Sequence, residues 1–146
     1  MSGFRTLSEN VLASPQVVAE DIATAKAQGV TLVINNRPDG EAPDQPPGAE
    51  IARAARAEGL AYLAIPVDHS GISGAQIGAM ADAIGKAQGK VLAYCRTGTR
   101  STFLWALAAA SKGEDPAVIA GAAAAAGYDL SPIGDTLEQL AARPAG

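Results

Sequence analysis

Cys95, Arg96, Gly98 and Arg100 fall within six consecutive residues, in the run "YCRTGTRS", and Cys95 is the only cysteine of the 146-residue chain. A thiol is the strongest nucleophile among neutral side chains, provided its surroundings favour the thiolate. The spacing supplies such surroundings if a helix begins within the run. The first N–H groups of a helix lack intrahelical partners, and the macrodipole adds partial positive charge, so an anion is favoured there. Arg96 and Arg100 add full charges, and the guanidinium of Arg100 has the planar fork that grips phosphate or sulfate at two points. Gly98 lets the backbone curl so that the amides of Arg96, Thr97 and Thr99 point inward. Ser101 has a hydroxyl to donate to the sulfur. The chemistry implied is a nucleophile within an anion cradle. A lone cysteine at a strand end is otherwise a small buried hydrophobe. The ordered set of strand, thiol, glycine, arginine and helix is what favours the active reading.

Three further residues come into question. Asp68 lies 27 residues before Cys95, in the loop "DHSGIS". A thiolate that displaces an alkoxide needs a proton donor, and Asp68 is a candidate, as well as a plain solvated acid or helix cap. His69, the only histidine, is an alternative for the same task. With no second His or Cys nearby, no metal site is indicated. Arg37 follows an apolar run and precedes a proline. It either reaches an anionic substrate or pairs with Asp39 or Glu41 to hold its own loop, with the structural role slightly favoured.

Elements that would position these residues are punctuated by proline and glycine. Ser14-Pro15 reads as N-cap and first position of a helix stopped by Gly29. "VTLVIN", Val30–Asn35, reads as a buried strand. Arg37–Gly48, with four prolines, is a loop long enough to suggest a recognition surface. A helix then runs to Glu58, and "LAYLAIPV" is a second core strand. Ser73 caps a helix running to Gln88. "KVLAYC" is the third core strand and delivers Cys95 at its C-terminal end. The segment after Arg100 is helical through Lys112, and Asp115-Pro116 and Ser131-Pro132 open two more helices. "FRTL" and "VLAS" suit short edge strands. Strands alternating with helices predict an α/β fold, a mainly parallel sheet with helices on both faces. Ligands of such sheets sit beyond the carboxyl ends of the strands, where the loops bearing Arg37, Asp68 and Cys95 all emerge.

Composition narrows the class. A length of 146 residues fits one domain, taken as residues 1–146. Apolar residues make up 48% and charged residues 18%, with a net charge of −4 and no basic run. This speaks against nucleic-acid or anionic-membrane partners. One cysteine forms no internal disulfide, and "MSGFRTLSEN" lacks a secretory pattern, so a cytoplasmic location is expected. No apolar stretch is long enough to span a bilayer. No cofactor is implied.

"YLAIPVDHSG", a helix, then "GKVLAYCRTGTRS" resembles the dual-specificity branch of the protein tyrosine phosphatase superfamily. "VINNRPDGE" with a following Gln-Pro, the strand end "IPV", "YCRTGTRS" and Trp105 resemble more closely a small bacterial family of beta-lactamase-hydrolase-like phosphatase domains. The resemblance covers roughly residues 4–110 and extends to the tail "AGYDL". It implies a tyrosine-phosphatase-like fold and a thiophosphate intermediate on Cys95. Arg100 and the loop amides would stabilise the phosphoryl oxygens. Asp68 would serve as acid and then base, and Ser101 would assist the departing sulfur. One departure stands out: four residues separate Cys95 from Arg100, where the phosphatase signature has five. Four is the spacing of many rhodanese-type sulfurtransferases, which carry a persulfide. Three readings follow. The leading one is a phosphatase-like hydrolase acting on an anionic small molecule or phosphoprotein. The second is a sulfurtransferase moving sulfur from a sulfane donor to a thiol acceptor through Cys95. The third is a non-catalytic oxyanion-binding module.

Overall fold

The structure is a computed structural model that describes residues 3–68 and 70–142; His69 lies outside the described residues. A five-stranded sheet has the order β1-β2-β5-β3-β4. Its strands are β1 (Arg5–Thr6), β2 (Val11–Ser14), β3 (Val30–Asn35), β4 (Ala61–Ala64) and β5 (Lys90–Tyr94). Only β1 runs antiparallel to its neighbour. The expected α/β architecture, a mainly parallel sheet covered on both faces, is therefore present.

Alternation along the central strand sorts the two faces, because successive strand side chains point to opposite sides. Val91 and Ala93 pack with Ile34, Met80 and Leu104 beneath α3 (Gly74–Lys86) and α4 (Thr99–Ser111), joined by α5 (Pro116–Ala125) and α6 (Gly134–Ala142). Leu92 and Tyr94 pack with Ile22, Val33 and Ile51 beneath α1 (Ala19–Ala27) and α2 (Gly48–Ala57). Helix α4 is apolar on most of its circumference, with Leu104 and Ala106 fully buried. It lies between α3, α5 and α6 as well as against the sheet. Each of its large buried side chains contributes about 1.5–3 kcal/mol of burial free energy.

Several boundaries differ from the sequence reading. Ser14-Pro15 does not open α1, because Ser14 is the last residue of β2, paired with Tyr94. The helix starts later, where the Asp21 carboxylate accepts the N–H of Val18 at 2.9 Å. "VLAS" is an interior strand with all four residues buried, whereas "FRTL" does supply the edge. "LAYLAIPV" shortens to β4 on the opposite edge, largely exposed. Beyond it Ile65 and Val67 are buried, their N–H groups donating to the carbonyls of Asn35 and Asn36 at 2.9 and 3.0 Å. Helix α3 ends at Lys86 rather than Gln88, α4 begins at Thr99, and Ser131–Ile133 forms a 3-10 turn ahead of α6. Among the described residues no helix is long and apolar enough to cross a membrane.

Candidate active site

Cys95 directly follows the central strand and is fully buried. Its N–H donates to the Ser14 carbonyl at 3.3 Å, while Asn36 N–H donates to the Tyr94 carbonyl at 2.8 Å. The residue is thus held between the ends of β2 and β3. Three residues later the chain turns sharply into α4. The turn is made by Gly98, with φ of +89°, a value that side chains other than glycine rarely adopt. Its N–H donates to the Cys95 sulfur at 3.1 Å. A side chain on Gly98 would also run into the hydroxyl of Tyr128. That hydroxyl donates to the Thr97 carbonyl at 3.2 Å and so pins the loop from outside. Tyr128 is held in turn by Arg5, whose guanidinium lies 5.8 Å from the ring centroid and bonds the Ala126 carbonyl at 2.8 Å.

Arg100 sits in the first turn of α4, beside the sulfur. Its Nη1 donates to Glu41 Oε2 at 2.7 Å and to the Val67 carbonyl at 2.6 Å, and its Nη2 donates to Glu41 Oε1 at 2.8 Å. Glu41 pushes the pKa of Arg100 upward; burial opposes this, and the Cys95 side chain adds to it. Glu41 also accepts from Arg37 Nε at 3.0 Å. Its carboxyl falls from 4.5 to about 2, chiefly through Arg100 and then Arg37, with partial burial opposing. Arg37 itself is buried and donates to Gln16 Oε1 at 3.1 Å. Of the two roles weighed for Arg37, the structure displays the pairing with Glu41.

Ser101 is fully buried, and its hydroxyl finds a partner other than the sulfur. Asn36 Nδ2 donates to the Ile65 carbonyl at 2.9 Å, which leaves Asn36 Oδ1 as an acceptor. The Ser101 hydroxyl donates to that oxygen at 2.8 Å, so the expected bond from Ser101 to the sulfur is not formed. Thr97 and Thr99 bond each other through their hydroxyls at 2.9 Å. Arg96 is exposed at the rim.

Asp68 is exposed, and its Oδ1 accepts the N–H of Ser70 at 2.8 Å. It shares with Arg100 a cleft of about 310 Å3 whose other walls include Ile72, Phe103 and Leu107. Asp68 and Arg100 therefore face one space, as the common sheet end implied. A larger groove of about 830 Å3 runs between α5 and α6 and meets the loop only through Tyr128. Among the described residues no group of three or more His, Cys, Asp or Glu side chains is clustered to hold a metal.

The sequence alone does not single out Glu41, Asn36 or Tyr128 as site residues. The available signal for Glu41 was its place in "NRPDGE", which suggested a partner for Arg37 but not for Arg100.

Comparison with known proteins agrees with this geometry. The family model for the phosphatase-like domain of beta-lactamase hydrolase-like proteins matches residues 3–112. The beta-lactamase hydrolase-like protein of Xylella fastidiosa strain Temecula1 is 39% identical over 101 residues, covering 69% of this chain and 23% of that protein. Its counterpart in Agrobacterium fabrum is 37% identical over 107 residues, covering 73% and 25%. The chain thus spans about a quarter of the length of these curated relatives. A crystal structure from Neisseria meningitidis titled a "putative phosphatase" superposes with a TM-score of 0.84 at 32% identity, covering 96% of this chain and 99% of that one. The structure of Tk-PTP shares the fold with a TM-score of 0.72 at 17% identity, covering 97% of each chain. The sheet order, the cysteine loop and the sequence match thus converge, and the chain belongs to the family of the phosphatase-like domain of beta-lactamase hydrolase-like proteins.

Proposed function

We propose that this domain is a cysteine-dependent phosphatase acting on phosphomonoesters through a thiophosphate intermediate on Cys95. The observation that carries the reading is the buried Cys95 sulfur, which accepts the Gly98 N–H at the start of α4 with the Arg100 guanidinium beside it. In the first step the thiolate attacks phosphorus, the S–P bond forms and the ester P–O bond breaks. Asp68, protonated, gives its proton to the departing alkoxide. In the second step Asp68 takes a proton from water, the oxygen attacks phosphorus, and the S–P bond breaks to return the thiolate. Arg100 and the N–H groups at the start of α4 stabilise the charge on the equatorial oxygens. Arg96, Thr97 and Thr99 line the rim that an anionic substrate crosses. Asn36 keeps the Ser101 hydroxyl away from the sulfur, so the second step relies on Gly98 N–H to stabilise the thiolate as it leaves.

One observation favours a second reading. Helix α4 begins at Thr99, so only three residues bridge the sulfur and the helix. A loop this short suits a single sulfane sulfur on Cys95 as well as a phosphoryl group. The two chemistries separate through Asp68, because sulfite leaves from a sulfane donor without needing a proton. For the phosphatase, Asp68→Asn lowers turnover of an alkyl phosphate by about 10²–10⁴ and that of p-nitrophenyl phosphate far less. Intact mass after mixing should show a phosphoryl adduct that is absent from Cys95→Ser. Turnover of thiosulfate alone, with a sulfur adduct, would replace the phosphatase reading by sulfur transfer.

A further inference from the structure

The loop from Arg37 to Gly48 is tied by several hydrogen bonds. Arg37 N–H donates to Asn35 Oδ1 at 2.9 Å, and Asp39 Oδ1 accepts the Gly48 N–H at the start of α2 at 2.8 Å. Gln45 donates to the Pro38 carbonyl at 2.9 Å and accepts the Glu41 N–H at 3.0 Å. The last of these bonds anchors the backbone of Glu41. The Glu41 side chain is only 19% exposed, although it is carried by a loop.

We propose that Glu41 is a positioning residue for the reaction at Cys95, its carboxylate holding the Nη1–Nη2 edge of the Arg100 guanidinium so that the neighbouring Nε–Nη2 edge stays open to a substrate oxyanion. This rests on the phosphatase reading above for the reaction concerned, though not for the geometry. A guanidinium has five N–H groups. Both hydrogens of Nη1 are engaged, by Glu41 and by Val67, and one of Nη2 goes to Glu41. What remains is Nε–H and the second Nη2 hydrogen, a two-donor edge matched to two oxygens of a phosphoryl group. Glu41 is the main cause of the raised Arg100 pKa and Cys95 is a further one, so the sulfur lies close to the guanidinium. Glu41 thus leaves those two donors for a substrate oxyanion. Arg37 also bonds Glu41, at 3.0 Å, and the Arg100 fork cannot turn without breaking its charge-assisted bonds to Glu41 at 2.7 and 2.8 Å.

The arrangement distinguishes positioning from blocking. Glu41→Gln keeps the side chain's shape but weakens the hold on Arg100. Removing a nearby negative charge also favours anion binding in the ground state. A positioning role therefore predicts a divided effect: kcat for p-nitrophenyl phosphate falls by about 10²–10³, the loss typical of one preorganised donor, while KM stays within threefold or falls. Glu41→Asp, which keeps the charge on a shorter arm, should recover part of kcat. In an Arg100→Lys background Glu41→Gln should cost less than about threefold, because its effect passes through Arg100. An unchanged or raised kcat in Glu41→Gln overturns the proposal, as does a full loss persisting in the Arg100→Lys background. If the wild type turns over no phosphate ester, the phosphatase reading fails separately. The Glu41 proposal is then decided by the 15N spectrum of the Arg100 guanidinium. Slow Nη rotation lost in Glu41→Gln supports it, and identical spectra overturn it.

Discussion

Glu41 also makes the stability of the protein depend on pH in a calculable way. Its carboxyl titrates near 4.5 without structure and near 2 in the fold, held down first by Arg100 and then by Arg37. A depressed folded pKa means that the native state holds the charge more tightly than the unfolded chain does. The stabilisation is therefore fully present above about 4.5 and is lost as pH falls through about 2. The fall from 4.5 to about 2, at 1.36 kcal/mol per pH unit, gives about 3 kcal/mol at pH 7, falling to about 1 kcal/mol at pH 3. The side chains of Glu41 and Arg100 are 19% and 23% exposed, so solvent screening trims this modestly. Other carboxylates titrate over the same range, but they cancel when wild type is compared with Glu41→Gln. Urea unfolding of both proteins at pH 7 and pH 3 should show their difference shrinking by about 2 kcal/mol. A difference constant to within about 0.5 kcal/mol would refute the coupling of Glu41 to the two arginines. A loss of about 3 kcal/mol lies within the 5–15 kcal/mol of a typical domain, so the variant remains folded for kinetic work.

Two further outcomes follow from the loop. Gly98→Ala should lose about 1–3 kcal/mol in urea melts, through the positive φ and the collision with the Tyr128 hydroxyl. Adding Tyr128→Phe should recover part of that loss, and strict additivity of the two changes would show that the collision does not occur. Asn36→Ala strands the Ser101 hydroxyl and the Ile65 carbonyl, both tied to Asn36 in the fold. It should cost about 2–4 kcal/mol at two buried groups, and a thermal shift near zero would mean that water replaces the amide.

What was legible in the sequence was local. The cysteine loop announces itself because strand, thiol, glycine and helix follow within a few residues, and the parallel sheet follows from strands alternating with glycine-stopped helices. What stayed hidden was set by pairing across the chain. Ser14-Pro15 has the chemistry of a helix start, yet Ser14 is taken by its pairing with Tyr94, 80 positions away. "LAYLAIPV" is apolar enough for a central strand, yet β4 becomes an edge because β5 occupies the other side of β3. Ser101 bonds Asn36 across 65 positions and Arg100 bonds Glu41 across 59. No periodicity or local spacing reports either contact. For Glu41 the notable feature was a long loop with four prolines, and only the fold reveals that the loop ends in a bond to Arg100.

The strand order has a consequence for synthesis on the ribosome. Strand β5 lies between β2 and β3, yet it is the last of the five to be made. Until residue 94 has emerged, β2 and β3 have no partner between them, and the two halves of the sheet cannot join. The nascent chain then carries β3 and β4 as one parallel pair and β1 and β2 as a separate hairpin, neither enough for a stable sheet. Insertion of β5 closes the sheet in one late step of high sequence separation, which is slow relative to local helix formation. That same step carries Cys95 to its place beside Asn36 and Ser14. The candidate site and the completed sheet thus arise together, because a chain that stops short of β5 lacks the setting that holds Cys95.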